Sequence, residues 1–386
     1  MKICICSDGY PSKGLPYSSF IQVLAREMTR QGCEVTVVAP QSLTNHFFRG
    51  GKLAPRIFKD IFTANGEQKS VTIYRPFSIT FGEGVLGQLT PKFNRLATEY
   101  AIRKYKLCPD VYYSHFWANG FNVERTARKN KIHLFVATGE DKITICKFLH
   151  TDAVKKLYEN VSGVICVSTK NLEESVSNGL TTPEKCIVLP NAYDPEEFYN
   201  IDKSVARKNL GFPQDSFIVA FCGRFNNRKG ASRVSEAIKK INIPNIKSIF
   251  VGSIADNETA EPDCNGILFK GRLPHSKIVE YLNCADAFVL PSLAEGCPNS
   301  VIEAMACGLP IVSSNLPFNF DILSKDTSLL IDPNNVDEIA IAIKKLYDDG
   351  DLRKEMAEYS LEKSKGLTIC NRVSKILCFI LNNGKK

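Results

Sequence analysis

Glu295 and Glu303, two carboxylates with seven residues between them, stand in the stretch PSLAEGCPNSVIEAMACGLP at 291–310. An apolar strand at 286–290 leads in, and a Gly-Cys-Pro turn follows the first glutamate. Residues 299–307 read as a short helix, with Asn299 as its N-cap and Gly308-Leu309-Pro310 as its stop. One carboxylate therefore lies on the loop ahead of a helix and the other within it. Between them Gly296, Cys297, Asn299 and Ser300 offer free backbone N–H groups at the positive end of the helix dipole, a ready site for phosphate.

Two cations occupy a second turn. An apolar strand at 217–222 runs into Gly223-Arg224-Phe-Asn-Asn-Arg-Lys229-Gly230, and a helix follows. Fixed cations on such a turn either stabilise the negative charge of a bound phosphate or simply lie exposed to solvent. Arg224 and Lys229 are the candidates, with Arg228 competing for the lysine's place. In the first half a strand beginning at Val111 ends at Ser114, beside His115, and a helix begins near Ala118. A histidine at the C-terminal end of a strand sits where ligands bind in open α/β sheets.

The elements that must position these groups alternate between strand and helix almost throughout, which argues for α/β architecture with parallel sheets. A strand at 2–6 leads to a loop, then to a helix at about 18–30 with Phe20, Val23, Leu24 and Met28 on one face, then to a strand at 34–39. Strands at 161–168 and 185–189 follow, and the polar residues 191–214, with Pro195 and Pro213, read as a hinge. The second half adds strands at 217–222, 248–252, 286–290, 311–313 and 328–331, then helices at about 335–348, 351–364 and 369–381.

Two further stretches need a reading. Residues 82–87 match G-x-G-x-x-G, but Gln88-Leu-Thr-Pro91 separates them from the helix that begins near Pro91. The match lacks the strand–turn–helix context of a dinucleotide fingerprint and reads as a flexible loop, which disfavours a dinucleotide oxidoreductase. Residues 46–62 mix aromatics with Arg49, Lys52, Arg56 and Lys59 and carry no acid before Asp60. Such a basic amphipathic segment either lies in a membrane interface or packs on its domain as a loop and helix.

Composition bounds the answer. The chain has 386 residues, enough for two domains, and 44% hydrophobic with 23% charged residues is ordinary for a globular protein. No apolar run reaches the roughly 18 residues of a membrane span. Fourteen cysteines are scattered with no C-x-x-C, so free thiols in a reducing cytosol are expected, with no metal site and no disulfide framework. Met1 to Ser7 reads as a first strand rather than a signal peptide, so a cytoplasmic protein is expected. Net charge is +8; residues 1–200 hold 25 Lys and Arg against 19 Asp and Glu, an excess of six. That bias suits an anionic acceptor or membrane surface and is too weak to argue for nucleic acid.

The Pro-Ser lead, Glu-Gly turn, Glu-Ala-Met-Ala helix and Gly-x-Pro stop at 291–310 resemble the donor-binding signature of retaining glycosyltransferases of family four. Gly223-Arg224 with Lys229-Gly230, His115-x-Trp117-x-x-Gly120 and Pro190-Asn191-Ala192-Tyr193-Asp194 extend the resemblance over nearly the whole chain. It implies that Glu295 holds hydroxyls of a donor sugar and Glu303 the ribose of its nucleotide. Arg224 and Lys229 would meet the two phosphates, His115 would approach the sugar near the reacting carbon, and the backbone around Leu273 would read the base, with Lys270 or Arg272 helping or simply solvated. Gly14 is the candidate for a loop that closes on donor phosphate and acceptor, or is a plain turn; the family often carries two glycines there and this chain has Leu15 second. Thr138 stands where the family often has histidine, and Asp141 is left as a candidate for an acceptor hydroxyl or a helix cap. Ala192 replaces a glycine, so its turn must form without that freedom.

The expectation is two Rossmann-like domains facing across a cleft, the GT-B fold. Residues 1–195 form the acceptor-binding domain, 205–365 the nucleotide-sugar domain, and a terminal helix at 366–386 crosses back to the first. The expected reaction is retaining, metal-independent transfer of a hexose from a nucleotide sugar, UDP favoured, to a glycan or lipid-linked saccharide in polysaccharide biosynthesis, with no cofactor beyond the co-substrate. Open alternatives are a nucleotide-sugar epimerase, a glycosyl phosphorylase, or a non-catalytic sugar-nucleotide-binding subunit.

Overall fold

The computed structural model describes residues 1–12, 18–82, 85–254 and 260–384. The chain divides into two compact units, Met1–Leu189 with the residues from Arg372 onward, and Pro190–Asn371.

Unit 1 is built on β1 (Lys2–Cys6), β2 (Glu34–Val38), β3 (Gln41–Ser42), β4 (Ile57–Ala64), β5 (Glu67–Tyr74), β6 (Phe77–Ser78), β7 (Val111–His115), β8 (His133–Thr138), β9 (Val161–Cys166) and β10 (Cys186–Val188). Eight of these form one sheet in the order β10-β9-β8-β7-β1-β2-β5-β4, parallel except for the edge pair β4–β5. Its central strands are apolar on both faces, as a covered parallel sheet requires. One face carries Cys4, Cys6, Tyr112, Leu134, Val136 and Val164 into the core under α4 (Trp117–Asn130). The other meets the C-terminal helix Ile369–Asn383, whose Phe379 sets its ring edge against Phe135 at 5.9 Å.

Two expectations change here. In α1 (Ser19–Arg30) the buried face is Ile21, Leu24, Ala25 and Met28, and Phe20 is 40% exposed. The helix is turned by about one residue because Ile21 completes the i, i+3, i+4, i+7 stripe. The stretch 46–62 is not one amphipathic segment. It contains the end of the short helix α2 (Leu43–Arg49), a loop, and most of edge strand β4. The β4–β5 hairpin turns on Asn65-Gly66, both at positive φ (52° and 78°), the signature of a two-residue hairpin.

Unit 2 holds a wholly parallel six-stranded sheet, β11 (Phe217–Cys222), β12 (Ile246–Val251), β13 (Ile267–Gly271), β14 (Ala287–Leu290), β15 (Ile311–Ser314) and β16 (Ser328–Ile331). Its order, β13-β12-β11-β14-β15-β16, is that of a doubly wound Rossmann sheet. The chain leaves β11 toward one edge and returns at β14 toward the other. The crevice at the carboxyl ends of β11 and β14 is therefore the topological switch point, where such sheets bind ligands.

Candidate active site

The loops after β11 and β14 are laced together at that switch point. The Leu293 N–H donates to the Arg228 carbonyl at 2.8 Å, and the Arg228 guanidinium donates to the Ala294 carbonyl at 2.7 Å. The floor beside them is bare backbone. Gly252, just past β12, has φ +155°, and a Cβ there would lie 1.9 Å from the Gly223 carbonyl oxygen, so only glycine fits.

Glu295 is buried at the centre of the crevice. Lys229 Nζ stands 2.5 Å from its Oε1, and Arg228 Nη1 stands 3.3 Å from its Oε2. The two cations thus share one carboxylate rather than compete for one place. Arg224 is not drawn in; its side chain is exposed and has no hydrogen bond or ion pair among the described residues.

The helix α10 (Asn299–Ala306) starts one residue earlier than its sequence signal suggests. Pro298 occupies the cap position, Asn299 is already helical, and no side chain caps the helix. The reason is a competing partner: Asn299 Oδ1 accepts from Asn191 Nδ2 at 2.7 Å, and Asn191 Nδ2 also donates to the Cys297 carbonyl at 3.1 Å. The first N–H groups of α10 are left uncapped, with Gly296 and Cys297 buried and Ser300 half-buried beside them.

Glu303, one turn into α10, meets His275 Nε2 at 3.5 Å, and His275 Nδ1 meets Glu197 Oε2 at 2.9 Å. Hydrogen bonds to Glu197 and Glu303, against the opposing effect of burial, push the His275 pKa up to about 10. Leu273 is half-buried after β13, while Arg272 donates to Ser253 Oγ at 2.6 Å and Lys270 pairs with Glu261 at 2.9 Å. The sequence assigns no role to Asn191, His275 or Glu197, although Asn191 sits inside the quoted Pro190–Asp194 motif.

In unit 1, His115 ends β7 next to the sheet's own switch point, between β7 and β1. Its Nδ1 is buried without a hydrogen-bond partner, and its ring lies 4.7 Å from that of Phe20 and 4.3 Å from that of Phe116. Burial, with a smaller contribution from Arg372, lowers its pKa to about 3, so the imidazole is neutral. Phe116 next to it has φ 75° and ψ 153°, a region populated almost only by glycine, and such strain, of order 1–3 kcal/mol, collects at functional sites. Glu140 accepts from the Trp117 N–H at 2.9 Å, from Thr138 Oγ1 at 2.6 Å and from the Gly139 N–H at 2.9 Å. Burial raises its carboxyl above the ordinary value although these bonds favour the charge. Asp141 is exposed, and Lys170 Nζ binds its backbone carbonyl. Gly14 lies outside the described residues.

Among the described residues no helix is long and apolar enough to cross a membrane, and no group of three His, Cys, Asp or Glu could hold a metal ion.

Two family models match in tandem, Glycosyltransferase Family 4 over residues 18–197 and Glycosyl transferases group 1 over 202–363. The chain is 28% identical over 373 residues to TuaC of Bacillus subtilis, named for teichuronic acid biosynthesis, covering 93% of this chain and 92% of that one. Among solved structures, sucrose-phosphate synthase from Thermosynechococcus elongatus superposes with a TM-score of 0.75 at 17% identity, covering 99% of both chains. Anabaena Alr3699/HepE, solved with UDP, gives 0.72 at 17% identity over 99% of this chain and 100% of that one. The sheet orders and these superpositions show two Rossmann-like domains of the GT-B fold, and by the two matched models the chain belongs to the family-four, group-1 glycosyltransferases.

Proposed function

We propose that the chain is a retaining hexosyltransferase that takes its sugar from a nucleotide sugar, UDP-linked by preference, and passes it to a hydroxyl of a glycan or lipid-linked saccharide. The observation that carries the reading is the crevice of unit 2, where an uncapped helix N-terminus, a buried carboxylate and two basic side chains meet. Arg224 and Lys229 take the diphosphate, with the first N–H groups of α10 completing its cradle. Glu295 holds sugar hydroxyls, Glu303 the ribose, and the backbone near Leu273 the base. From unit 1 the proposal takes His115 for the reacting carbon and Asp141 for the acceptor.

The step balances without a separate base. The bond from the anomeric carbon to the diphosphate oxygen breaks, a bond to the acceptor oxygen forms on the same face, and the acceptor's proton passes to the leaving diphosphate. The positive charges needed there come from the chain itself, so the reading asks for no metal and no cofactor beyond the donor. That TuaC is named for teichuronic acid biosynthesis and HepE was solved with UDP supports the acceptor class and the base.

Thermal unfolding with UDP-, GDP- and ADP-sugars tests the reading. At a donor concentration of about 100 Kd the expected stabilisation is about 2.7 kcal/mol. Arg224→Ala is expected to lose it, and no shift with any donor overturns the proposal.

Exposed aromatics favour a membrane contact as part of the same function. Phe47 and Phe48 are 71% and 83% exposed on α2, next to Arg49 and the basic residues Lys52, Arg56 and Lys59. Near an anionic bilayer each Lys or Arg contributes about 1 kcal/mol, and the phenyl rings enter the interface. Co-sedimentation with anionic vesicles is expected, reduced at least tenfold in a Phe47→Ser, Phe48→Ser variant; unchanged sedimentation ends the membrane role.

A further inference from the structure

We propose that His275 is a positioning residue: bridged between Glu197 and Glu303, it fixes the Glu303 carboxylate for the ribose of the donor. The inference rests on the assignment of Glu303 to the ribose made above and adds the device that holds it there.

The geometry is a three-member chain. Glu197 belongs to the segment that opens unit 2, His275 is the first residue of α9 (His275–Asn283), and Glu303 lies in α10. The imidazole spans the gap, with Nδ1 2.9 Å from Glu197 Oε2 and Nε2 3.5 Å from Glu303 Oε1. Its ring stands edge-on to buried Phe198 at 5.1 Å, which restricts its rotation. With Oε1 occupied, Glu303 keeps Oε2 for a ligand hydroxyl. One neutral imidazole cannot donate to both carboxylates, so the bridge requires the imidazolium.

The position of His275 supports the same reading. A cation at the first residue of a helix is opposed by the helix dipole and finds no support from its own element. The neighbours on α9 do not supply it either, since Lys277 pairs with Glu280. The charged groups facing the ring are Glu197 from the opening segment and Glu303 from α10, and these keep the proton on. Behind Glu303 lie the thiols of Cys222 and Cys307, which burial holds protonated, so neither competes for the charge. The bridge is thus present at neutral pH, and raising the pH toward about 10 removes it.

The test compares UDP, GDP and ADP, each with its 2′,3′-dideoxy counterpart, by isothermal titration. For the nucleotide that binds the wild type, Glu303→Ala is expected to abolish the preference for ribose over dideoxyribose. His275→Ala is expected to reduce that preference about tenfold, the loss of a charge-assisted hydrogen bond, with little change in dideoxynucleotide affinity. Combining the two substitutions is expected to add nothing further. If Glu303→Ala removes the preference and His275→Ala leaves it intact, His275 does not position Glu303. If Glu303→Ala itself leaves it intact, or no nucleotide binds, the ribose assignment fails and takes the inference with it. Glu197→Gln gives a readout that a purely structural role does not move. The preference should then fall between pH 6 and pH 9, where the wild type stays flat. A flat profile in the Glu197→Gln protein overturns the bridge, including when His275→Ala does not fold.

Discussion

Both units start a helix at the carboxyl end of a central strand, and they finish that helix differently. In unit 1 the first N–H of α4 is taken by Glu140, itself anchored by Thr138 and Gly139. In unit 2 α10 has no side-chain cap, and the nearby acid, Glu295, is drawn away by Lys229 and Arg228. A positive helix end that the chain has already filled has no place for a ligand's phosphate; an open one flanked by cations does. The histidines repeat the contrast. Burial keeps His115 neutral, while two carboxylates keep His275 charged. At these two strand ends, the chain sets paired cations beside the open helix of unit 2 and a neutral imidazole beside the filled helix of unit 1.

The largest test is Lys229→Met. It removes the cation closest to Glu295 and, on the proposed assignment, one of two side chains that stabilise the leaving diphosphate. A drop in kcat/KM of about 10²–10³ is expected, the size found for deleting one preorganised charge-stabilising donor. An effect below threefold in a folded variant breaks the comparison at its stronger end. The same assay separates the rival readings, since an epimerase turns over without an acceptor and a phosphorylase requires inorganic phosphate.

Glu140→Ala examines the closed end. It leaves the Trp117 N–H, the Gly139 N–H and the Thr138 hydroxyl without their acceptor, at a cost of about 1–3 kcal/mol. The urea midpoint should fall accordingly, with nucleotide-induced stabilisation unchanged from wild type. If nucleotide affinity instead falls as far as it does in Lys229→Met, the anion site is not confined to unit 2.

Most of the architecture was legible because buried parallel strands are short apolar runs with helices between them, and β11, β14 and α10 declare themselves that way. The family motifs led to Glu295, Glu303, Arg224 and Lys229, and the fold brings Lys229 to Glu295 while leaving Arg224 exposed. What stayed hidden depends on pairing across the sequence. The β4–β5 hairpin was missed although Asn65-Gly66 marks it, because the basic charges before it dominated the reading of 46–62. Asn299 looked like a helix cap, and nothing local reveals that Asn191, 108 positions away, holds its side chain instead. Glu197 and His275 lie 78 positions apart and meet only once α9 and the opening segment pack.

The smallest effect concerns backbone, where the two units again differ. Unit 1 keeps a phenylalanine, Phe116, in a conformation suited to glycine. Unit 2 has Ala192 where the resembling family carries glycine, and Ala192 is not among the residues with positive φ. The flanking residues explain how: Asn191 is tied to Cys297 and Asn299. Tyr193 donates its N–H to the Leu367 carbonyl at 3.0 Å and accepts from the Ile369 N–H at 2.8 Å. The segment is held from both sides, so restoring glycine adds freedom only to the unfolded chain. Ala192→Gly is expected to destabilise by about 0.5–1 kcal/mol, with nucleotide affinity changed less than twofold. The sign decides the matter. If the position needed left-handed backbone, glycine would relieve strain and raise stability, and a measured gain would mean that Ala192, like Phe116, is held against its preference.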